Sequence, residues 1–338
     1  MPKVSVIIPN YNHAPYLRQR IRSVLDQTFQ DMEVIILDDC SSDNSREIIN
    51  EYKSNPRVQL AFNQANSGCV FKQWNKGLSM AGGEYIWIAE SDDYAAPTFL
   101  EKLVGVLEAA PKTGLVFCQS FCVLNGEARL AEERWFGPSA HLYKADFTAG
   151  GKEYVGRQML LRNTIVNASS AVFRRRVATE AGPADETFIL NGDWLFWIKL
   201  LQRSNLAYVA EPLNYYRFHE QTVRRASETN GVMIEDTCRI ALFVLKNFSV
   251  APEDAGKIRE WLGNWFLGAM ISNGPPMPKA RRQSLLRLMS ELNPRAIRQL
   301  WFHRSGLQWL WLGCRRRALT LWKRFFHPMN GSTDISRG

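Results

Sequence analysis

Asp38 and Asp39 are adjacent carboxylates that close a run of apolar residues. Two like charges at the end of a buried strand are costly unless a ligand or a cation uses them. Helix capping is the plainer alternative, although Ser42 and Asp43 already suit that task. Glu90-Ser91-Asp92-Asp93 sets three carboxylates within four residues. Such a cluster fits a hard divalent cation that takes oxygen ligands and bridges phosphates, and otherwise reads as a solvated acidic turn. Asp193, in Asn191-Gly192-Asp193-Trp194, opens an aromatic helix. It is either an acid suited to a helix N-terminus or a general base walled by Trp194 and Trp197 and partly desolvated. In Tyr215-Tyr216-Arg217-Phe218-His219, strand alternation puts Arg217 and His219 on one face. Arginine suits pyrophosphate and a neutral imidazole suits a metal, whereas a lone histidine also serves as a structural hydrogen-bonding residue.

The elements that must position these groups alternate. Val4 to Ile8 and Glu33 to Leu37 are β-branched strands, and Leu17, Ile21, Val24 and Leu25 recur between them at helical spacing, with Pro15 suited to the first turn. A helix bearing Ile48, Ile49 and Tyr52 leads to a strand at Val58 to Phe62. A helix marked by Trp74 and Leu78 stops at Gly82-Gly83 before the strand Tyr85 to Ala89. A helix from Phe99 to Leu107 and a strand from Gly114 to Gln119 follow. This order predicts a mostly parallel twisted sheet flanked by helices, with ligands beyond the carboxyl ends of its strands. Residues 120 to 165 read as loop with a short helix near 152 to 161. Beyond it a strand is expected at Ala171 to Phe173, a helix at Trp194 to Leu201 and a strand at Leu206 to Val209. From about 232 the chain is helical in character, with a break at Asn273-Gly274-Pro275-Pro276.

Composition narrows the classes. There is no GxxxxGK[ST] and no GxGxxG after the first strand, which argues against P-loop enzymes and dinucleotide-binding dehydrogenases. The net charge of +9 is local: residues 278 to 324 hold twelve Lys or Arg and one acid, Glu291, so the remainder is slightly acidic. Six scattered cysteines lack CxxC spacing and suit a reducing cytoplasm. No stretch reaches the roughly 18 apolar residues of a spanning segment. A soluble or peripheral protein is expected.

Together, Pro9-Asn10-Tyr11-Asn12, Ser23-Val24-Leu25-Asp26-Gln27-Thr28, the loop Asp38-Asp39-Cys40-Ser41-Ser42-Asp43 and Glu90-Ser91-Asp92-Asp93 resemble glycosyltransferase family 2, over about residues 3 to 220. The resemblance implies an α/β GT-A fold, Rossmann-like, with a C-terminal helical extension. It implies a catalytic domain over 1–230, its donor half about 1–120 and its acceptor half about 121–230, followed by a basic, aromatic-rich extension over 231–338. Pro9, Tyr11, Asp38, Asp39, Asp92 and Arg217 would hold a nucleotide sugar, UDP-linked, and Asp93 and His219 a divalent cation, Mn²⁺ or Mg²⁺. Where many relatives begin the acidic motif with Asp, this chain has Glu90. Asp193 falls at the family's catalytic base, which more often follows Glu; here Gly192 precedes it. The implied reaction is an inverting single displacement onto a hydroxyl of a glycan or lipid-linked acceptor in cell-envelope polysaccharide synthesis. Trp135, Phe136, Trp194 and Trp197 are candidates for stacking on acceptor sugars or for core packing.

The tail interleaves Arg315-Arg316-Arg317 and Lys323-Arg324 with Trp301, Trp309, Trp311, Trp322, Phe325 and Phe326. Over residues 278–326 this composition suits an anionic membrane surface, here the cytoplasmic face of the inner membrane; a helical subdomain packed on the core is the alternative. A catalytically silent sugar-binding member of the fold and a nucleic-acid binder using the tail stay open as other classes. The acidic constellation speaks against nucleic acid as a partner.

Overall fold

The computed structural model describes residues 1–130, 136–218, 230–271 and 277–304. The chain divides into two compact units, one of Met1–Ser227 with Phe243–Val250 and one of Glu228–Leu242 with Ala251–Gly338.

The first unit begins with alternating strands and helices: β1 (Val4–Asn10), α1 (Ala14–Leu25), β2 (Met32–Asp38), α2 (Ser45–Asn50), β3 (Val58–Phe62), α3 (Val70–Met80), β4 (Tyr85–Ile88), β5 (Tyr94–Ala95), α4 (Phe99–Ala109) and β6 (Thr113–Leu124). It continues through β7 (Glu127–Leu130), a 3₁₀ stretch at Gly137–Lys144, β8 (Phe147–Ala149), α5 (Gly151–Gln158), a 3₁₀ turn at Ala168–Ser170, β9 (Ala171–Arg174), α6 (Arg175–Ala181), α7 (Gly192–Leu201) and β10 (Asn205–Phe218).

All the strands join one sheet in the order β3-β2-β1-β4-β9-β6-β10-β5, with β7 added to β6 and β8 to β10. β3, β2, β1 and β4 are parallel, as are β6 and β10, while β9 runs antiparallel between β4 and β6. β1 and β4 are buried along their length and β2 at every residue but Glu33, because helices cover both faces of the sheet. In register, Asn10 stands beside Asp38, and Ala89 donates its amide to Ile7. The loops after β1, β2 and β4 therefore leave the sheet along one edge.

The stretch expected as loop after residue 120 is more ordered than its composition suggests. β6 runs on to Leu124 and turns back through Asn125 and Gly126, at φ 52° and 86°, into β7. Two consecutive positive φ values are what a tight hairpin of this kind requires. β7 is exposed throughout, so it carries no apolar alternation to betray it. β10 is likewise far longer than Leu206 to Val209, because register shifts around Pro212 absorb the break in its pattern.

The second unit contains the start of α8 (Val232–Asn247), then α9 (Pro252–Ile271), α10 (Lys279–Leu292) and α11 (Pro294–Arg304). Its core holds Cys238, Ile258, Leu262, Phe266, Leu285, Met289 and Leu292, and Arg281 pairs with Glu235 at 2.8 Å. The break expected at 273–276 and the tail beyond 304 lie outside the described residues.

Candidate functional site

The loops after β1 and β2 are bound to each other by short polar side chains. Asn10 donates to Asp38 Oδ1 at 3.0 Å and to Ser41 Oγ at 3.2 Å, while Asn12 accepts from the Ser42 amide at 2.8 Å. Asn12 and Cys40 both hold positive φ, 55° and 62°, a conformation most residues other than glycine avoid. Asp43 takes the capping role: its Oδ2 accepts from Ala14 N at the start of α1, and its Oδ1 from Ser45 N at the start of α2. That leaves Asp38 and Asp39 for other work. Asp38 is fully buried and also accepts from Arg46 Nε at 3.0 Å. Asp39 accepts from Asn63 Nδ2, Ser67 N, Ser67 Oγ and Gln73 Nε2 at 2.6–2.9 Å, so the segment before α3 is built around this carboxylate. Pro9 is the penultimate residue of β1, beside Leu37, and Tyr11 is 45% exposed at the loop surface.

The loop after β4 is fixed from four directions. Asp93 is fully buried; its Oδ2 accepts from Asn167 Nδ2 at 2.9 Å and Ser169 Oγ at 2.8 Å, and its Oδ1 from the Arg217 amide at 3.0 Å. Glu90 accepts from the Trp74 indole at 2.9 Å, and His13 Nδ1 lies 2.8 Å from Ser91 Oγ. Beneath the loop, α1 contributes Arg20, which is fully buried, donates from Nε to the Glu90 carbonyl at 2.8 Å and lies over the Trp87 ring. The Arg217 guanidinium is held between Tyr16 and Tyr94, 5.1 and 4.7 Å from their centroids, and donates to the Asp92 carbonyl and the Gln19 side chain.

These contacts set the electrostatics. Removal from water, and then the charge of Asp92, push the Glu90 carboxyl up to about 8. Asp93 is raised by the same two causes in the same order. Burial lowers Arg20 to about 10 against the pull of Asp93, Asp92 and Glu90. Repelling carboxylates within one short loop fit a divalent cation, which favours oxygen donors and needs only one or two from the protein when phosphates and water complete its shell. Among the described residues, no group of three or more His, Cys, Asp or Glu side chains could hold a metal ion.

Asp193 stands in the first turn of α7, half-exposed, and accepts from Asn163 Nδ2 at 2.9 Å. Its neighbour must be small: a Cβ at Gly192 would lie 2.5 Å from Phe71 Cε2 and 2.9 Å from Phe188 Cβ. Of the two readings open for Trp194, Trp197 and Phe136, sugar stacking and core packing, their burial selects core packing. Trp194 donates to the Met159 carbonyl, Trp197 packs among Trp74, Phe173 and Phe196, and Phe136 stacks on Tyr143. His219 and Trp135 lie outside the described residues.

Several residues that hold the site were not singled out by spacing. Arg20 carried a signal, since it occupies the apolar stripe Leu17-Arg20-Ile21-Val24 of α1, where a charge needs a buried reason. Asn163, Asn167 and Ser169 carried none, because their partners are 30 to 76 residues away in sequence.

A family model described as glycosyl transferase family 2 matches residues 5–181. The putative teichuronic acid biosynthesis glycosyltransferase TuaG of Bacillus subtilis is 41% identical over 102 residues, 30% of this chain and 40% of the relative. The putative glycosyltransferase EpsH of the same organism is 28% identical over 279 residues, 77% of this chain and 78% of its own length. Four relatives at 38 to 45% identity are matched over only 33 to 41% of their own length. Among solved structures, TarS 1-349 of S. aureus in complex with UDP-GlcNAc superposes with a TM-score of 0.66 at 17% identity, covering 90% of this chain and 87% of that one. The mannosyltransferase PcManGT of Pyrobaculum calidifontis, in complex with GDP-Man and Mn²⁺, gives 0.57 at 14% identity, covering 96% and 85%. At these identities the likeness is one of fold, the GT-A arrangement.

Proposed function

The chain belongs to glycosyltransferase family 2, and from that premise we propose that it is an inverting enzyme moving a sugar from a UDP-linked donor to a hydroxyl of a cell-envelope glycan or lipid-linked acceptor. The observation that carries the reading is the shared edge of the sheet, where Asp38 and Asp39 at the end of β2 and Glu90 to Asp93 after β4 follow the two parallel strands that flank β1. Ligands of open α/β sheets sit at that edge. The UDP-GlcNAc complex of TarS supports the donor class, and the teichuronic acid relative supports an envelope polysaccharide as product.

In this reading Pro9, Tyr11, Asp38 and Asp39 take the nucleoside, Asp92 and Arg217 the sugar and pyrophosphate, and Asp93 with His219 the cation. A bound Mn²⁺ or Mg²⁺ would offset the charge that develops on the leaving diphosphate. Asp193, kept in place by its bond from Asn163, accepts the proton of the acceptor hydroxyl as that oxygen attacks the anomeric carbon. No described helix is long and apolar enough to cross a membrane. α11 nevertheless exposes Trp301 and Phe302, 70% and 60%, on a helix that also carries Arg295 and Arg298. We assign residues 278–326 to an anionic surface, placing the enzyme peripherally on the cytoplasmic face of the inner membrane.

The test is nucleoside diphosphate release from a panel of nucleotide sugars with Mn²⁺, Mg²⁺ or EDTA. Slow hydrolysis of one donor that EDTA abolishes is the expected result. Silence across the panel, together with no metal-dependent donor binding by calorimetry, overturns the proposal.

A further inference from the structure

The least explained group in the first unit is Arg20. It has no exposure to solvent, and both of its terminal nitrogens lack a hydrogen-bond partner among the described residues. A guanidinium is not buried this way for stability, since its desolvation is repaid only when geometry and hydrogen bonds are good. Its Nη2 is 3.9 Å from Asp93 Oδ2, an ion pair without a bond, and a single hydrogen bond from Nε fixes the Glu90 carbonyl. The guanidinium also lies over the Trp87 ring, 5.5 Å from its centroid. The charge is thus enclosed below the acidic loop, where Asp93, Asp92 and Glu90 are the acidic groups whose ionised form it favours.

We propose that Arg20 is a positioning residue for the donor site, a permanent internal cation that holds the Glu90–Asp93 loop in place before any metal or donor arrives. It reaches the reaction only through the loop. The consequence is thermodynamic coupling: part of the positive charge the loop needs is already supplied from within, so a divalent cation has less to add. The inference rests on the reading of that loop as the cation and donor site.

The experiment compares wild type, Arg20→Met and Arg20→Lys by thermal melting in EDTA and in Mn²⁺ alone, then by activity across a Mn²⁺ titration to saturation. Methionine keeps the volume and removes the charge. Arg20→Met should melt lower in EDTA, with the rise in Tm on adding Mn²⁺ larger than in wild type. The Mn²⁺ concentration that gives half-maximal activity should fall about tenfold, because a loop without its internal cation gains more from the metal, with kcat at saturating Mn²⁺ little changed. Arg20→Lys should keep the wild-type metal response. An equal loss of Tm in EDTA and in Mn²⁺ would mark Arg20 as merely structural and overturn the proposal. If Arg20→Met does not fold, Arg20→Met/Asp93→Asn decides: recovery of folding in EDTA supports charge coupling, and failure to recover refutes it. A wild type whose Tm ignores Mn²⁺ would instead remove the reading of the loop on which the inference stands.

Discussion

Trp74 donates its indole N–H to Glu90 Oε1 at 2.9 Å, which ties the buried middle of α3 to the first carboxylate of the acidic loop. The same helix reaches each part of the candidate site. Gln73 donates to Asp39, Phe71 lies under Gly192, and Asn75 bonds both ways with the backbone of Ala184, ahead of α7. α3 is therefore the common support of the nucleoside loop, the acidic loop and the turn that carries Asp193.

The Glu90 contact predicts a pH dependence of stability. Its carboxyl is pushed up to about 8 in the folded chain against an ordinary 4.5, so folding strengthens proton binding. The stability gained is fully present below about pH 4.5 and is lost as pH rises through about 8. Thermal melts in EDTA should therefore show Tm falling between pH 6 and pH 9. Glu90→Gln, which keeps an oxygen for Trp74 and has no charge to lose, should lessen that slope and leave the share that belongs to Asp93, whose carboxyl burial also raises. An equally steep slope in the variant would show that another group titrates.

Gly192 explains the departure from the family's usual Glu-Asp pair at the proposed base. Any side chain there meets the Phe71 ring, which is itself 2% exposed and cannot swing into solvent. Gly192→Ala is expected to destabilise by about 1–3 kcal/mol through overpacking, outweighing the gain of up to about 1 kcal/mol that alanine brings to a helix. Phe71→Leu/Gly192→Ala should recover part of the loss. Denaturant melts of the four combinations measure the coupling, and simple additivity would remove the steric argument.

Much of this arrangement was legible in the sequence, and the reason differs by region. The first 120 residues declare themselves, since strands buried on both faces read as β-branched runs and their polar ends stand out. Asp38, Asp39 and the Glu90–Asp93 loop were visible for that reason. The antiparallel β9 between β4 and β6 was not legible as to direction, because four residues specify a strand and not its partner. The contacts of Asp93 with Asn167, Ser169 and Arg217 were hidden for the same cause: they are made by chain segments brought together only by the finished sheet.

Arg217 sits between two rings, and that placement does not suit a lysine. Its planar guanidinium stacks against Tyr16 and Tyr94 while donating to two partners, whereas an ammonium offers a point charge on a flexible stem. Arg217→Lys should keep the backbone bond to Asp93 but lose about 1 kcal/mol of ring contact, roughly fivefold in donor KM. Calorimetry with the donor and steady-state kinetics would check this, and a KM unchanged from wild type would place Arg217 outside donor binding.

Asp193 and Asn163 offer the sharpest division between binding and chemistry. The carboxylate is half-exposed at the start of α7, and the hydrogen bond to its Oδ2 comes from a residue 30 positions earlier. If Asp193 takes the acceptor's proton, its role is confined to the transfer step and donor affinity should not depend on it. Asp193→Asn is then expected to lower kcat by roughly 10²- to 10⁴-fold with the donor dissociation constant unchanged. Asn163→Ala should cost roughly tenfold, the worth of one hydrogen bond that orients the base. Single-turnover transfer and donor titration on the same preparations separate the two quantities. Loss of donor binding in Asp193→Asn would move this residue from the chemistry to the architecture of the site, and another group would have to receive the proton.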